Sequence, residues 1–155
     1  MTVWERWIVN GLTLIVAISG AAYGGMKYLI VPSDPFAVVN HPWQSAMLAG
    51  HILSAPLLVL AVGMTVRSHI IPKLANGLTN RRSGLIALCT FLIMTMSGYG
   101  LQVAASDWLM RVALWLHVGS ASVFSLAFAA HLVIACRSAA QPRRVPAVRR
   151  PAVSG

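Results

Sequence analysis

The stretch LHVGSASVFSLAFAAHL, residues 116–132, decides the fold of this chain. It lies inside a long apolar run, yet it carries two histidines, His117 and His131, fourteen residues apart. An ionisable side chain is costly in hydrocarbon, so such a residue is a functional candidate by default. Fourteen residues of α-helix return to within about 40° of the same face and rise about 21 Å. The stretch therefore predicts a membrane helix with two histidines on one stripe.

The composition of the whole chain supports a membrane protein. Of its 155 residues, 57% are hydrophobic and only 10% are charged, whereas a soluble domain is nearer about 25% charged. The net charge of +9 first suggests a nucleic-acid partner. Its arginines, however, flank apolar spans and form no stripe on a soluble fold, which favours the positive-inside rule over nucleic-acid binding.

Four apolar stretches are long enough to cross the bilayer, which takes about 20 residues of helix. They cover residues 7–31, 43–67 (or to 69), 84–105 and 108–136. Because backbone groups in lipid must be satisfied within the segment, each is expected to be a helix. We expect an all-α fold, an integral membrane four-helix up-down bundle over residues 1–136. Residues 137–155, rich in arginine and proline, are expected to form a basic, disordered cytoplasmic tail.

The basic residues predict the orientation. Most of them fall before the first span, between the second and third spans, and in the tail. Both termini are therefore expected on the cytoplasmic side of a bacterial inner membrane. Trp43 and Trp108 then begin the second and fourth helices at the outer interface, as aromatic-belt residues do.

The second helix also carries two histidines, His51 and His69. Their spacing of eighteen residues is about five whole turns, which is the same face, and a rise of about 27 Å. His51 follows Trp43 by eight residues and His117 follows Trp108 by nine, so these two are expected at one depth.

The other two histidines, His69 and His131, are less closely matched in depth. They lie about 39 Å and 35 Å along their helices, and a helix tilt or a kink at Pro56 would absorb the difference. Because helices two and four of an up-down bundle face each other across the core, two pairs are expected: His51 with His117, and His69 with His131.

Two facing histidine pairs at different depths restrict the chemistry. A zinc site needs three or four ligands around one ion, and a proton relay would use carboxylates, which the spans lack. A haem iron held by one histidine from each side needs this arrangement. His51, His69, His117 and His131 are therefore the candidate axial ligands of two haem b groups. Two axial ligands leave no open position on iron, so the expected chemistry is electron transfer, without a catalytic residue.

Other residues beside the histidines are open to two interpretations. Small residues such as Gly20, Gly24 and those of SGYG (97–100) would admit a macrocycle, or would only let helices approach closely. Phe124 and Phe128 would lie between the two haems, or would be ordinary packing residues. His41, in the outer loop, is expected to be a plain loop residue.

The histidine frame resembles that of di-haem membrane cytochromes b. The compact four-helix form, with SGYGLQ (97–102) and WLHVGSASVFSLAFAAH (115–131), is similar to the bacterial cytochrome b subunits of formate dehydrogenase and nickel hydrogenase. The resemblance covers about residues 1–136, and the eighteen-residue spacing in the second helix departs from it. It implies electron transfer between a quinone pool and a partner: an iron–sulfur protein, a molybdenum enzyme or a c-type cytochrome. The chain would then be one subunit of a larger oxidoreductase complex.

Two other classes stay open at the level of sequence. A copper- or metal-handling membrane protein would use imidazole and thioether ligands, with Met94 and Met96 as the best candidates. A haem-free scaffold subunit of a respiratory or photosynthetic complex would need no matching of histidine depths.

Overall fold

The structure, a computed structural model, describes residues 1–32, 34, 36–75 and 81–140. Within these residues the helices are α1 (Val3–Tyr28), α2 (Gln44–Thr65), α3 (Ile71–Ala75), α4 (Arg81–Val103) and α5 (Asp107–Ala140). A π-helical turn, Val66–Ile70, joins α2 to α3 without a break. Four continuous helices are long and apolar enough to span a bilayer: Val3–Tyr28, Gln44–Ala75, Arg82–Val103 and Asp107–Arg137. The predicted all-α four-helix fold is confirmed, and the chain is a multi-pass membrane protein.

The ends of α1 are fixed by local hydrogen bonds. Thr2 and Glu5 form a reciprocal capping box that satisfies the first free N–H groups. At the other end, the Asn40 amide donates to the carbonyls of Lys27 (2.8 Å) and Ile30 (2.9 Å). Asn40 thus ties the outer end of α1 to the loop that leads into α2.

The bundle is built from two helical hairpins. Helix α1 packs closely against α2, and α4 packs closely against α5. Side chains from both hairpins meet in one core cluster formed by Val16, Leu58, Phe91, Met94 and Phe124. The hairpins therefore face each other through side chains, and α2 and α5 present their histidines to the same interior.

The second span reaches its inner histidine through a π turn. The Ile71 N–H bonds to the Val66 carbonyl, the five-residue spacing that defines this turn. A π turn accommodates an extra residue without the full helical rise, so the eighteen residues from His51 to His69 advance less than regular helix would. The helix continues through Pro56. His69 and His131 were expected at unequal depths, with a helix tilt or a kink at Pro56 to absorb the difference. The π turn that contains His69 reduces this difference instead.

The fourth span, Asp107–Arg137, agrees with the predicted 108–136 to within one residue at each end, and the helix that contains it, α5, continues to Ala140. The rest of the expected basic tail, residues 141–155, lies outside the described residues, as do residues 76–80 of the second connection. The cytoplasmic side of the termini and the disorder of the tail stay predictions.

Candidate functional site

The structure brings both predicted histidine pairs together. The ring centroids of His51 and His117 are 6.0 Å apart and their planes are inclined by 82°. The centroids of His69 and His131 are 6.3 Å apart, inclined by 78°. We call His51/His117 the outer pair and His69/His131 the inner pair. All four side chains are partly buried.

Both rings of the outer pair are held by backbone carbonyls of the neighbouring helix in their own hairpin. His51 Nδ1 lies 3.0 Å from the Val16 carbonyl oxygen of α1, and His117 Nδ1 lies 2.9 Å from the Met94 carbonyl oxygen of α4. A carbonyl only accepts, so each Nδ1 must carry the proton. Each Nε2 then keeps its lone pair, which is the tautomer that a metal-ligating histidine adopts.

A glycine lies under each ring of the outer pair. A Cβ atom added to Gly20 would lie 2.8 Å from His51 Cε1, and one added to Gly98 would lie 3.0 Å from His117 Cε1. Separations this short leave no room for a side chain unless the imidazole moves. The glycines are therefore required for the position of the rings, whereas Gly24 and Gly119 have nothing within 4 Å of an added Cβ.

The glycines belong to a repeated local arrangement, which we call the Ser–Gly seat. In α1 it is Ser19–Gly20 and in α4 it is Ser97–Gly98, and the carbonyl that accepts from the histidine belongs to the residue four positions before the glycine. Both serines donate back to helix carbonyls, Ser19 to Ile15 and Val16 and Ser97 to Ile93 and Met94.

A third Ser–Gly seat lies at the inner pair. Ser83 Oγ is 3.4 Å from His131 Nδ1, as Ser19 Oγ is 3.4 Å from His51 Nδ1. A Cβ added to Gly84 would lie 3.9 Å from His131 Cε1, an ordinary contact distance. The sequence analysis missed these seats. The available signal was the fourteen-residue spacing from Ser83–Gly84 to Ser97–Gly98, which equals that from His117 to His131.

The fourth histidine, His69, has no Ser–Gly pair at the position that the fourteen-residue spacing indicates. Fourteen residues before Ser19 and Gly20 stand Glu5 and Arg6 in place of Ser–Gly. Glu5 accepts a hydrogen bond from Ser68 Oγ (3.2 Å), and Ser68 precedes His69 in the π turn. The described contacts at the inner pair are thus made by side chains, and residue 80, which corresponds in the Ser83–Gly84 seat to Val16 and Met94, lies outside the described residues.

An aromatic cluster occupies the core. The ring centroids of Phe91 and Phe124 are 5.6 Å apart, as are those of Phe124 and Phe128. Phe124 is 7% exposed and Phe91 is 5% exposed, so neither lies in lipid. In α5, Phe124 and Phe128 lie between His117 and His131 in sequence, and dry apolar packing therefore separates the two pairs along the helix.

The other candidates are dispersed. Met94 is buried in the core while Met96 is 72% exposed, so these two thioethers do not converge on one ion. His41 accepts a hydrogen bond from the Trp43 N–H at the start of α2 (3.2 Å), which gives it a local structural role. Gly20 and Gly24 do not act as a pair, because only Gly20 has a close neighbour.

The geometry of the pairs suits an ion with one protein ligand on each side. An imidazole nitrogen about 2.0–2.1 Å from a metal, and roughly 1.1 Å from its own ring centroid, places two opposed rings about 6.2–6.4 Å apart. The inner pair, at 6.3 Å, lies within that range, and the outer pair, at 6.0 Å, lies about 0.2 Å below it. Among the described residues, three or more His, Cys, Asp or Glu side chains are nowhere gathered into a metal-binding group. The pairs therefore fit a cofactor that supplies its remaining ligands itself.

Comparisons with known proteins give no further assignment. No family model, no curated protein and no solved structure matches the chain.

Proposed function

We propose that the chain is a haem-b electron-transfer subunit that carries electrons across a bacterial inner membrane. The observation that carries this proposal is the geometry of the two histidine pairs, which face each other at 6.0 and 6.3 Å. A haem b supplies four equatorial nitrogens and needs only two axial ligands, one from each face. His51 and His117 would hold the outer haem, and His69 and His131 the inner one.

The protonation state of the outer pair supports the proposal. Hydrogen bonds from Nδ1 to the Val16 and Met94 carbonyls leave Nε2 as the free ligand nitrogen on both rings. This outer hydrogen bond is the partner that metal-ligating histidines usually have, and it fixes the ring and raises its basicity.

A haem held by each pair would supply one-electron redox chemistry. The residues of the chain would hold the imidazoles, exclude water and set the distance between the sites. Phe91, Phe124 and Phe128 supply the dry packing between the pairs.

The described chain offers no second set of redox ligands, since neither cysteine has a partner cysteine or metal cluster in the described residues. We infer that the electron donor and acceptor are other molecules. A quinone in the bilayer and an iron–sulfur, molybdenum or c-type cytochrome subunit fit the resemblance seen in the sequence. The protein would then act within an oxidoreductase complex.

The first test is a dithionite-reduced minus oxidised absorption spectrum of the purified protein with a pyridine haemochrome count. Two b-type haems per chain would support the proposal. One haem would restrict it to a single pair. A protein that is purified with its partners and contains no haem would contradict it, and metal analysis would then test a copper-handling role.

A further inference from the structure

We propose that Glu5 is a positioning residue for His69, acting through Ser68 and the π turn. This inference rests on the proposed function, because it concerns how the fourth axial histidine is held. Glu5 lies at the start of α1, at the place where a fourth Ser–Gly seat would begin by the fourteen-residue spacing. Its carboxylate accepts a hydrogen bond from Ser68 in the segment that carries His69.

The contact joins two helix ends, which a second hydrogen bond also links, from the Met1 amine to the Ser68 carbonyl (3.1 Å). Glu5 Oε2 accepts from the Thr2 N–H (2.6 Å), which caps α1, and from Ser68 Oγ (3.2 Å), which lies in the π turn. We call this link the Glu5–Ser68 clasp. One carboxylate therefore fixes both the first turn of α1 and the residue directly before His69.

The π turn explains why such a clasp is needed. A π turn has poorer intrinsic stability than α-helix and persists where surrounding contacts favour it. If the turn from Val66 to Ile70 relaxed to α-helix, the residues after it would rotate about the axis and His69 would turn away from His131. His131 needs no comparable device, because it lies in regular helix and Ser83 contacts it directly.

The test compares Ser68→Ala and Glu5→Ala with Ser68→Thr, which keeps the hydroxyl. Thr2→Ala is the matched control, because it removes the Thr2 side chain from the capping box and leaves the carboxylate–Ser68 contact in place. Electron paramagnetic resonance and a redox titration of the purified protein report the two haems separately. We expect Ser68→Ala and Glu5→Ala to shift the inner haem signal and its potential and to leave the outer haem unchanged. Ser68→Thr should restore the inner signal.

A second measurement separates this inference from the haem proposal. Diethylpyrocarbonate labelling of the haem-free protein, followed by mass spectrometry, reports how exposed each imidazole is. We expect His69 to be modified several-fold faster in Ser68→Ala than in the unchanged protein, with His51 unaffected. Equal labelling of His69 in both proteins would overturn the clasp even if two haems are present. Absence of haem together with faster labelling would overturn the proposed function alone.

Discussion

The outer and inner histidine pairs have nearly the same ring separation but are supported by different parts of the chain. The outer pair rests on two backbone carbonyls and on two glycines that admit no side chain. Among the described residues, the inner pair is contacted by the Ser83 hydroxyl and lies on a π turn tied to Glu5, while Gly84 leaves room for a side chain. Main-chain groups of a helix move only with the helix, whereas hydroxyl and carboxylate contacts change with single substitutions.

The comparison shows where the site is rigid. A carbonyl enforces one tautomer of His51 and His117, and Gly20 and Gly98 have no room for a Cβ, whereas a Cβ at Gly84 would lie at an ordinary contact distance from His131. We therefore expect the outer site to be the better preorganised, and the inner site to be the one that substitutions tune.

The largest expected effect is loss of a whole haem. His51→Ala or His117→Ala should remove the outer haem and leave the inner one, and His131→Ala should do the reverse, because one remaining axial ligand does not hold the group in place. Haem stoichiometry and the two waves of a redox titration measure this. If His51→Ala and His117→Ala removed different haems, the pairing would be wrong.

The next effect concerns the glycines of the outer pair. Gly20→Ala and Gly98→Ala should displace an imidazole, at a cost typical of overpacking, about 1–3 kcal/mol. We expect reduced occupancy and an altered spectrum for the outer haem only. Gly24→Ala and Gly119→Ala are the matched controls, since an added Cβ there meets nothing within 4 Å. Equal losses in all four variants would mean that general helix packing, and not the seat, is responsible.

A smaller effect is expected at Ser83. Ser83→Ala removes a hydroxyl beside His131, and a hydrogen bond of this kind contributes about 0.5–1.5 kcal/mol. The inner haem should keep its occupancy but shift in potential, with the outer haem unchanged. Ser125→Ala is the control, because the Ser125 hydroxyl bonds only along its own helix, to the Ala121 carbonyl (2.8 Å). A shift of the outer haem would contradict the local role of Ser83.

The smallest effect is expected at Gly84. An added Cβ would lie 3.9 Å from His131, so Gly84→Ala should leave the inner haem unchanged. Thermal stability should stay the same or rise by at most about 1 kcal/mol, since alanine favours helix over glycine. Spectroscopy and thermal unfolding of the haem-containing protein measure both quantities. A loss as large as that of Gly98→Ala would show that the two seats are equally tight.

The four-helix fold could be predicted because it depends on hydropathy and charge, which are properties of the sequence itself. Span length, the scarcity of charge and the position of the tryptophans predict four helices, and the structure differs mainly at their ends. Helix α1 begins at Val3 and not at residue 7, because the Thr2–Glu5 capping box extends it through a polar turn. Helix α5 continues to Ala140, past the predicted span, because hydropathy limits the segment that crosses the bilayer and not the helix that contains it.

Less of the candidate site was readable. The spacing of His117 and His131 predicts a common face, and counting from Trp43 and Trp108 predicts which histidines meet. The π turn at Val66–Ile70 was not predicted, since the apolar pattern of the span does not distinguish a π turn from regular α-helix. The roles of Gly20 and Gly98 depend on which faces of adjacent helices are in contact. A glycine in the sequence predicts a close helix crossing as readily as a position beneath a histidine ring, so these roles could not be predicted.

The Ser–Gly seats also have an evolutionary consequence. Gly20 and His51 lie 31 residues apart, across a long outer loop, while Gly98 and His117 lie only 19 apart, across a short one. Both hairpins nevertheless bring a ring to the same kind of seat. Loop length and seat geometry are thus separable, because connections of different length place a ring on the same kind of seat. A change in the length of such a connection between related chains is therefore expected to leave the seat in place.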